Sequence, residues 1–237
     1  MKRRVILGTI VITGVMALWR CSPEPEPAIE KLTGNLFVIR GGNAGNTAVF
    51  VRADGVVLVD TRVAGSGQRI LDLVRTITDK PITHILNTHT HFDHVGSNAF
   101  FADHVEVVAH ENAAGQMQTM AEFSDAANRH GLPDRTFKDT LTLFPGPGAI
   151  DLHYFGAAHT NGDAFIVFRS EGVMHAGDTF PGLSAVTRSG GSEEEYPETL
   201  RRAAAGITGV HTVIPGHGTV ATWQSFVDNA RTLSTPR

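Results

Sequence analysis

His89-Thr90-His91-Phe92-Asp93-His94 sets three imidazoles and a carboxylate within six residues. The stretch follows Ile82-Thr83-His84-Ile85-Leu86-Asn87, whose β-branched and apolar residues predict a strand, and it leads into a helical patch at Asn98-Ala99-Phe100-Phe101. The cluster therefore occupies a loop leaving a strand, which is where open α/β sheets bind their ligands. Imidazoles and carboxylates without a thiolate suit zinc, and also iron, manganese, nickel or copper. Ligands this dense in one loop read as part of a binuclear metal centre.

Six residues cannot complete two metal shells, so further ligands are expected at the ends of other strands. Three candidates occur in such settings. His159 follows Leu152-His153-Tyr154-Phe155 and opens the turn Thr160-Asn161-Gly162-Asp163. Asp178 follows Val173-Met174-His175-Ala176-Gly177, and His217 lies in Pro215-Gly216-His217-Gly218 after the run 210–214. Each sits on a turn marked by glycine or proline.

This ordered pattern resembles the metallo-β-lactamase superfamily over residues 28–237: His-x-His-x-Asp-His, a lone His, a bridging Asp or Cys, and a final His. The resemblance implies that His89, His91 and His159 hold one metal, that Asp93, His94 and His217 hold the other, and that Asp178 bridges them. It implies two Zn²⁺ per chain, with iron or manganese as alternatives. Asp60, ending the run Val56-Val57-Leu58-Val59, is similar to a family aspartate that supports the metal ligands from behind; a plain strand-end turn is the competing reading. His84, His104, His110, His130, His153, His175 and His211 match no element of the pattern and read as ordinary core or surface residues.

The residue types also separate branches of that superfamily. His91 stands where related flavodiiron proteins carry glutamate. The single cysteine, Cys21, lies outside every motif, whereas two β-lactamase subclasses place a cysteine near Asp178. The Asp93-His94 pair is similar to the third β-lactamase subclass, and the bridging Asp178 to glyoxalase II and lactonases. Only 20 residues follow His217, too few for the helical carboxy-terminal domain of glyoxalase II. The chain has no tyrosine just after Asp178, where one lactonase branch has one. The resemblance thus implies a hydrolase opening a small cyclic amide or ester by attack of a metal-bridging hydroxide on a carbonyl, with Asp93 orienting the nucleophile and passing a proton to the leaving group. β-Lactams lead as substrates, a lactone or other ester or thioester is the alternative, and an iron-dependent sulfur dioxygenase is a third reading. Arg188 is a candidate cation for a substrate carboxylate and Asn161 a candidate hydrogen-bond donor; a solvated loop arginine and a turn asparagine are their plainer readings.

Around this centre, Lys2-Arg3-Arg4 followed by the apolar run 5–19 predicts an export signal over residues 1–20, placing the protein in the periplasm or outside the cell. The run is short for a bilayer span, so membrane contact is expected only through the signal. Residues preceding Cys21 fit lipoprotein processing poorly. Residues 21–27 read as a stiff Pro/Glu linker, and residues 28–237 as one catalytic domain. A formal charge of -4 without a basic run speaks against nucleic acid and leaves a small-molecule substrate; oligomeric state is left open. Strand-then-helix order in both halves suggests two sheets packed together with helices outside, which agrees with the fold that the resemblance implies: α+β, a four-layer αβ/βα sandwich of two mixed sheets flanked by helices.

Overall fold

Valine- and isoleucine-rich runs form the strands, and their side-chain alternation decides what lies on either side. The computed structural model describes residues 26–101, 104–181 and 190–233. Its first sheet has the order β1 (Ala28–Lys31), β2 (Leu36–Arg40), β3 (Thr47–Val51), β4 (Val56–Val59), β5 (Ile82–Leu86), β6 (Glu106–His110) and β7 (Arg135–Phe137). Strands β1 to β4 pair antiparallel, and β4 to β7 run parallel. The second sheet contains β8 (Thr140–Leu143), β9 (Ile150–His153), β10 (Phe165–Phe168), β11 (Val173–Gly177), β12 (Thr212–Pro215) and β13 (Ala221–Thr222) in the order β13-β12-β11-β10-β9-β8. It is antiparallel except for the parallel β11–β12 pair.

Period-two alternation distributes β4 between two cores. Val57 and Val59 face the second sheet, where Phe50, Leu86, Ile166, Phe168 and Ile214 join them. Val56 and Leu58 face outward onto α1 (Gly67–Arg75), whose Ile70, Leu73 and Val74 recur at the three- and four-residue spacing of one helix face. Short helices α2 (Phe92–Val95) and α3 (Glu111–Met117) follow β5 and β6. On the far side of the second sheet, α4 (Tyr196–Gly206) and α5 (Trp223–Leu233) bury Tyr196, Leu200, Ala203 and Phe226 against Phe165, Met174 and Val213. The result is helix, sheet, sheet, helix, as the sequence predicts.

Two local features differ from what the residues suggest. The sequence reads as one helical patch over 111–123, but α3 ends at Met117 and a separate 3₁₀ turn spans Ala121–Phe123. The break lets both Met117 and Phe123 bury against Val95, while the Met120 sulfur receives a hydrogen bond from Thr90 Oγ1. The second difference concerns the four sheet edges, each paired on one side only: β1, β7 and β13 carry no clear strand signal in the sequence, whereas the alternating Thr140-Leu141-Thr142-Leu143 of β8 does.

The parallel pairs position the functional groups. β4 and β5 run together, so Asp60 and the 88–94 loop leave the first sheet at the same end. β11 and β12 do likewise, with Gly177 beside Pro215, so Asp178 and His217 leave the second sheet side by side.

Candidate metal centre

Asp60 anchors the first half of the site. It has a left-handed backbone at φ 63°, a conformation that costs a non-glycine residue about 1 kcal/mol or more and persists only when its surroundings fix it. Here the fixing groups are hydrogen bonds. The fully buried carboxylate accepts from Thr88 N at 2.8 Å, Thr88 Oγ1 at 2.6 Å and His94 Nδ1 at 2.8 Å. Because a carboxylate only accepts, His94 must carry a proton on Nδ1. Thr88, having given its own proton to Asp60, accepts from His89 Nδ1 at 3.0 Å. One carboxylate thereby sets two histidine tautomers and turns both Nε2 atoms toward the site.

The remaining groups converge on those nitrogens. His159 Nε2 lies 2.9 Å from His91 Nδ1 and 3.4 Å from Asp178 Oδ2, and His89 Nε2 is 4.0 Å from the same oxygen. Asp178 Oδ1 faces the other way, 3.2 Å from His94 Nε2 and 3.4 Å from His217 Nε2. Asp93 Oδ2 completes that side at 3.1 Å from His217 Nε2 and 3.7 Å from His94 Nε2. Three overlapping groups of donor atoms result: His89, His91, His159 and Asp178; next to them Asp93, His94 and His217; and Asp60, His89 and His94, in which Asp60 is already engaged by Thr88 and His94 Nδ1. His159 is held by its turn, where the Asp163 carboxylate receives Thr160 N and Thr160 Oγ1, both at 2.8 Å.

Two observations fit these groups to cations. His89 Nε2 is buried without a hydrogen-bond partner, and so is Asp178 Oδ1, although imidazole nitrogens surround it. Buried polar atoms are rarely left this way unless an ion or water completes them. The titration behaviour agrees. Burial and the neighbouring imidazoles hold His89 well below the ordinary histidine value, and burial lowers His159 to about 4. For His94 burial acts in the same direction, but the charges of Asp60 and Asp178 override it and hold the ring at about 10. Hydrogen bonds to Asp178 and Asp93 raise His217 to about 9. Burial pushes the carboxyls of Asp178 and Asp93 up, yet the surrounding imidazoles bring both below the usual range. The carboxylates thus demand positive charge at this spot, which protons supply in part and divalent ions supply better.

All seven ligand candidates and Asp60 are brought together by the fold. Arg188 lies outside the described residues. The side chain of Asn161 stitches elements together: its Oδ1 accepts from Gln116 Nε2 at 2.6 Å, and its backbone O accepts from Asn112 Nδ2 at 2.7 Å, joining α3 to the turn after His159. The sequence singles out neither Thr88 nor Arg62, and it offers Asn46 only as part of the turn 43–46, a candidate wall of the substrate pocket. Thr88 was within reach, being adjacent to His89; Asn46 and Arg62 look like turn residues, and only their long-range partners show what they do. A cavity of about 540 Å³ opens beside His217, walled by Gly41, Gly42, Asn43 and Asn46 with Arg40 as its cation.

The family model described as the metallo-beta-lactamase superfamily matches residues 40–225, a span that includes every one of these groups. The chain belongs to that superfamily. A probable metallo-hydrolase of Streptococcus pyogenes is 25% identical over 197 residues, covering 73% of this chain and 78% of the relative. A type 2 metallo-beta-lactamase of Bacteroides fragilis is 23% identical over 181 residues, covering 73% and 68%. Among solved structures, a metallo-beta-lactamase from Pontibacter korlensis superposes with a TM-score of 0.74 at 19% identity, covering 89% of this chain and 100% of that one. Superfamily membership and the His/Asp cluster together make this chain a metal-dependent hydrolase, and they imply divalent metal ions at the cluster.

Proposed function

We propose that the chain is a dinuclear zinc hydrolase that opens a small cyclic amide or ester, with β-lactams the first substrates to test and lactones the next. The observation that carries this reading is the orientation of Asp178, whose Oδ2 faces His89 and His159 while Oδ1 faces His94 and His217. A carboxylate with one oxygen in each ligand group supports a bridging role and hence two ions. The all-nitrogen-and-oxygen donor set supports zinc, with iron or manganese as alternatives.

Two divalent ions, when bound, lower the pKa of water and polarise a carbonyl. The protein groups supply the rest. Asp93, kept ionised by His217 and His94, accepts a proton from the nucleophile and hands it to the departing nitrogen or alkoxide. Asp60 and Thr88 fix the two imidazoles, and the cavity beside His217 receives the substrate; Arg40 lines it, its guanidinium paired with Glu30 at 2.5 Å. Residues 1–20 read as an export signal, and no helix among the described residues is long and apolar enough to cross a membrane. The export signal read in residues 1–20 extends the proposal to a periplasmic or secreted enzyme.

The test is hydrolysis of a β-lactam panel and an acyl-homoserine lactone panel by the purified chain, with metal counted and a chelated control. Chelator-sensitive ring opening at two zinc ions per chain is expected. One bound iron with neither panel turned over overturns the hydrolase assignment in favour of dioxygenase chemistry.

A further inference from the structure

Arg62 is a buried cation in an unusual setting. It follows Asp60 and Thr61 off the end of β4, has a left-handed backbone at φ 65°, and is 2% exposed. A charge this deeply buried is normally matched by an opposite one, because water no longer solvates it. Burial lowers the Arg62 pKa, and no carboxylate among the described residues offsets that effect. Its hydrogen bonds go to backbone carbonyls: Nη1 donates to Gly45 O at 2.7 Å and Nη2 to Gly41 O. Both acceptors belong to one loop, residues 41–46 between β2 and β3.

The opposite end of that loop grips the turn that carries His217. Asn46, also 2% exposed, donates Nδ2 to Pro215 O at 2.9 Å and to Gly218 O at 3.1 Å, and its backbone N to Gly216 O at 2.7 Å. Between the two clamps, Gly45 N donates to Asp93 O at 3.1 Å. The Gly45 backbone also lies flush against His94, since a Cβ built there would stand 2.7 Å from Nδ1. One loop therefore touches Asp93, His94 and the His217 turn. None of these contacts reaches His89, His91 or His159.

We propose that the 41–46 loop is a bracket, with Arg62 and Asn46 as positioning residues that set the spacing of Asp93, His94 and His217 and so govern affinity at one metal position and not the other. This rests on the two-metal reading above. The physical reason is the origin of the three ligands: Asp93 and His94 leave the first sheet, whereas His217 leaves the second. The His217 side chain is 46% exposed and touches chiefly other ligands, so its distance from Asp93 depends on whatever ties the two sheets together at that end. The other group has supports of its own, Thr88 behind His89 and Asp163 behind Thr160. A guanidinium suits the clamp because its two Nη atoms sit in a rigid planar fork, each with its own carbonyl, whereas an ammonium offers a single nitrogen on a flexible stem.

The experiment is zinc titration of the metal-stripped full chain against a competing chelator, for wild type, Arg62→Gln, Arg62→Lys and Asn46→Ala, with circular dichroism confirming each fold. In Arg62→Gln and Asn46→Ala the first zinc is expected to bind as in wild type, while the second weakens by about tenfold or more, the scale of a lost supporting contact. Arg62→Lys should recover only part of the loss. Asn46→Ala removes no buried charge, so it tests the bracket even if Arg62→Gln misfolds. Equal weakening of both zinc ions, or of neither, in variants of a two-zinc wild type overturns the bracket alone. A wild type binding a single zinc overturns the two-metal reading and the bracket with it.

Discussion

Replacing Asp60 with asparagine keeps the shape of the side chain and changes only its proton pattern. In the native site Asp60 accepts three hydrogen bonds, and through them His94 Nδ1 and His89 Nδ1 carry their protons. Asparagine can be seated in two ways. With its Oδ1 toward Thr88 N, the amide NH₂ donates to both Thr88 Oγ1 and His94 Nδ1. Thr88 then donates to His89, and both Nε2 atoms acquire the hydrogen that blocks a metal. With the amide reversed, both tautomers survive, but NH₂ faces the Thr88 N–H and a buried donor loses its acceptor. That costs roughly 1 to 3 kcal/mol, and two further bonds lose their charge assistance. Binding metal requires the second seating, so we expect a penalty of about 2 to 3 kcal/mol, or roughly 30- to 150-fold in zinc affinity. Chelator competition at pH 7.5 measures it, with near-ultraviolet circular dichroism confirming that the stripped variant is folded. A folded Asp60→Asn protein binding zinc within about threefold of wild type would refute the tautomer argument.

Three other perturbations probe separate parts of the molecule. Asp93→Ala, assayed at zinc concentrations that keep the site filled, should lower turnover at least about a hundredfold, the contribution typical of a positioned proton carrier; unchanged kcat would remove Asp93 from that role. Gly216→Ala should fold but lose bound metal, because a Cβ there overlaps Asp178 Oδ1 and lies 2.8 Å from Asp178 N; full metal content by elemental analysis would show that the turn yields instead. Away from the site, Asp151 has its carboxyl drawn below 3.8: burial pushes it up, but hydrogen bonds from Arg169 and Thr142 prevail. A lowered folded-state pKa contributes stability above the unfolded value and loses it as pH falls through the folded one. Asp151→Asn should therefore cost roughly 1 kcal/mol at pH 7, the exposed Arg169 limiting the effect, and the gap to wild type should shrink below about pH 3.8. Urea melts at pH 7 and pH 3 check this, and a gap of equal size at both would exclude the ion pair as its source.

What the sequence determined by itself was the chemistry and the order of its parts. Imidazole and carboxylate side chains can be read directly as ligands, and a strand run before each of them reports the end of a sheet on which it stands. The central strands were legible for the same local reason: Val56 to Val59 and Phe165 to Phe168 are buried throughout and so are apolar without interruption. The edge strands β1, β7 and β13 were not, because a segment such as Arg135–Phe137 has a single apolar residue, Phe137, to reach the core, and only its pairing with β6 makes it a strand. Tertiary structure alone decided how the ligands are supported. Asp60 and His94 stand 34 positions apart, Arg62 and Gly41 21 apart, and Asn46 and Pro215 169 apart. Nothing local in an arginine or asparagine distinguishes a clamp from a solvated turn residue. The difference is made by burial and by which distant carbonyl lies opposite, and both exist only after the two sheets have closed on each other.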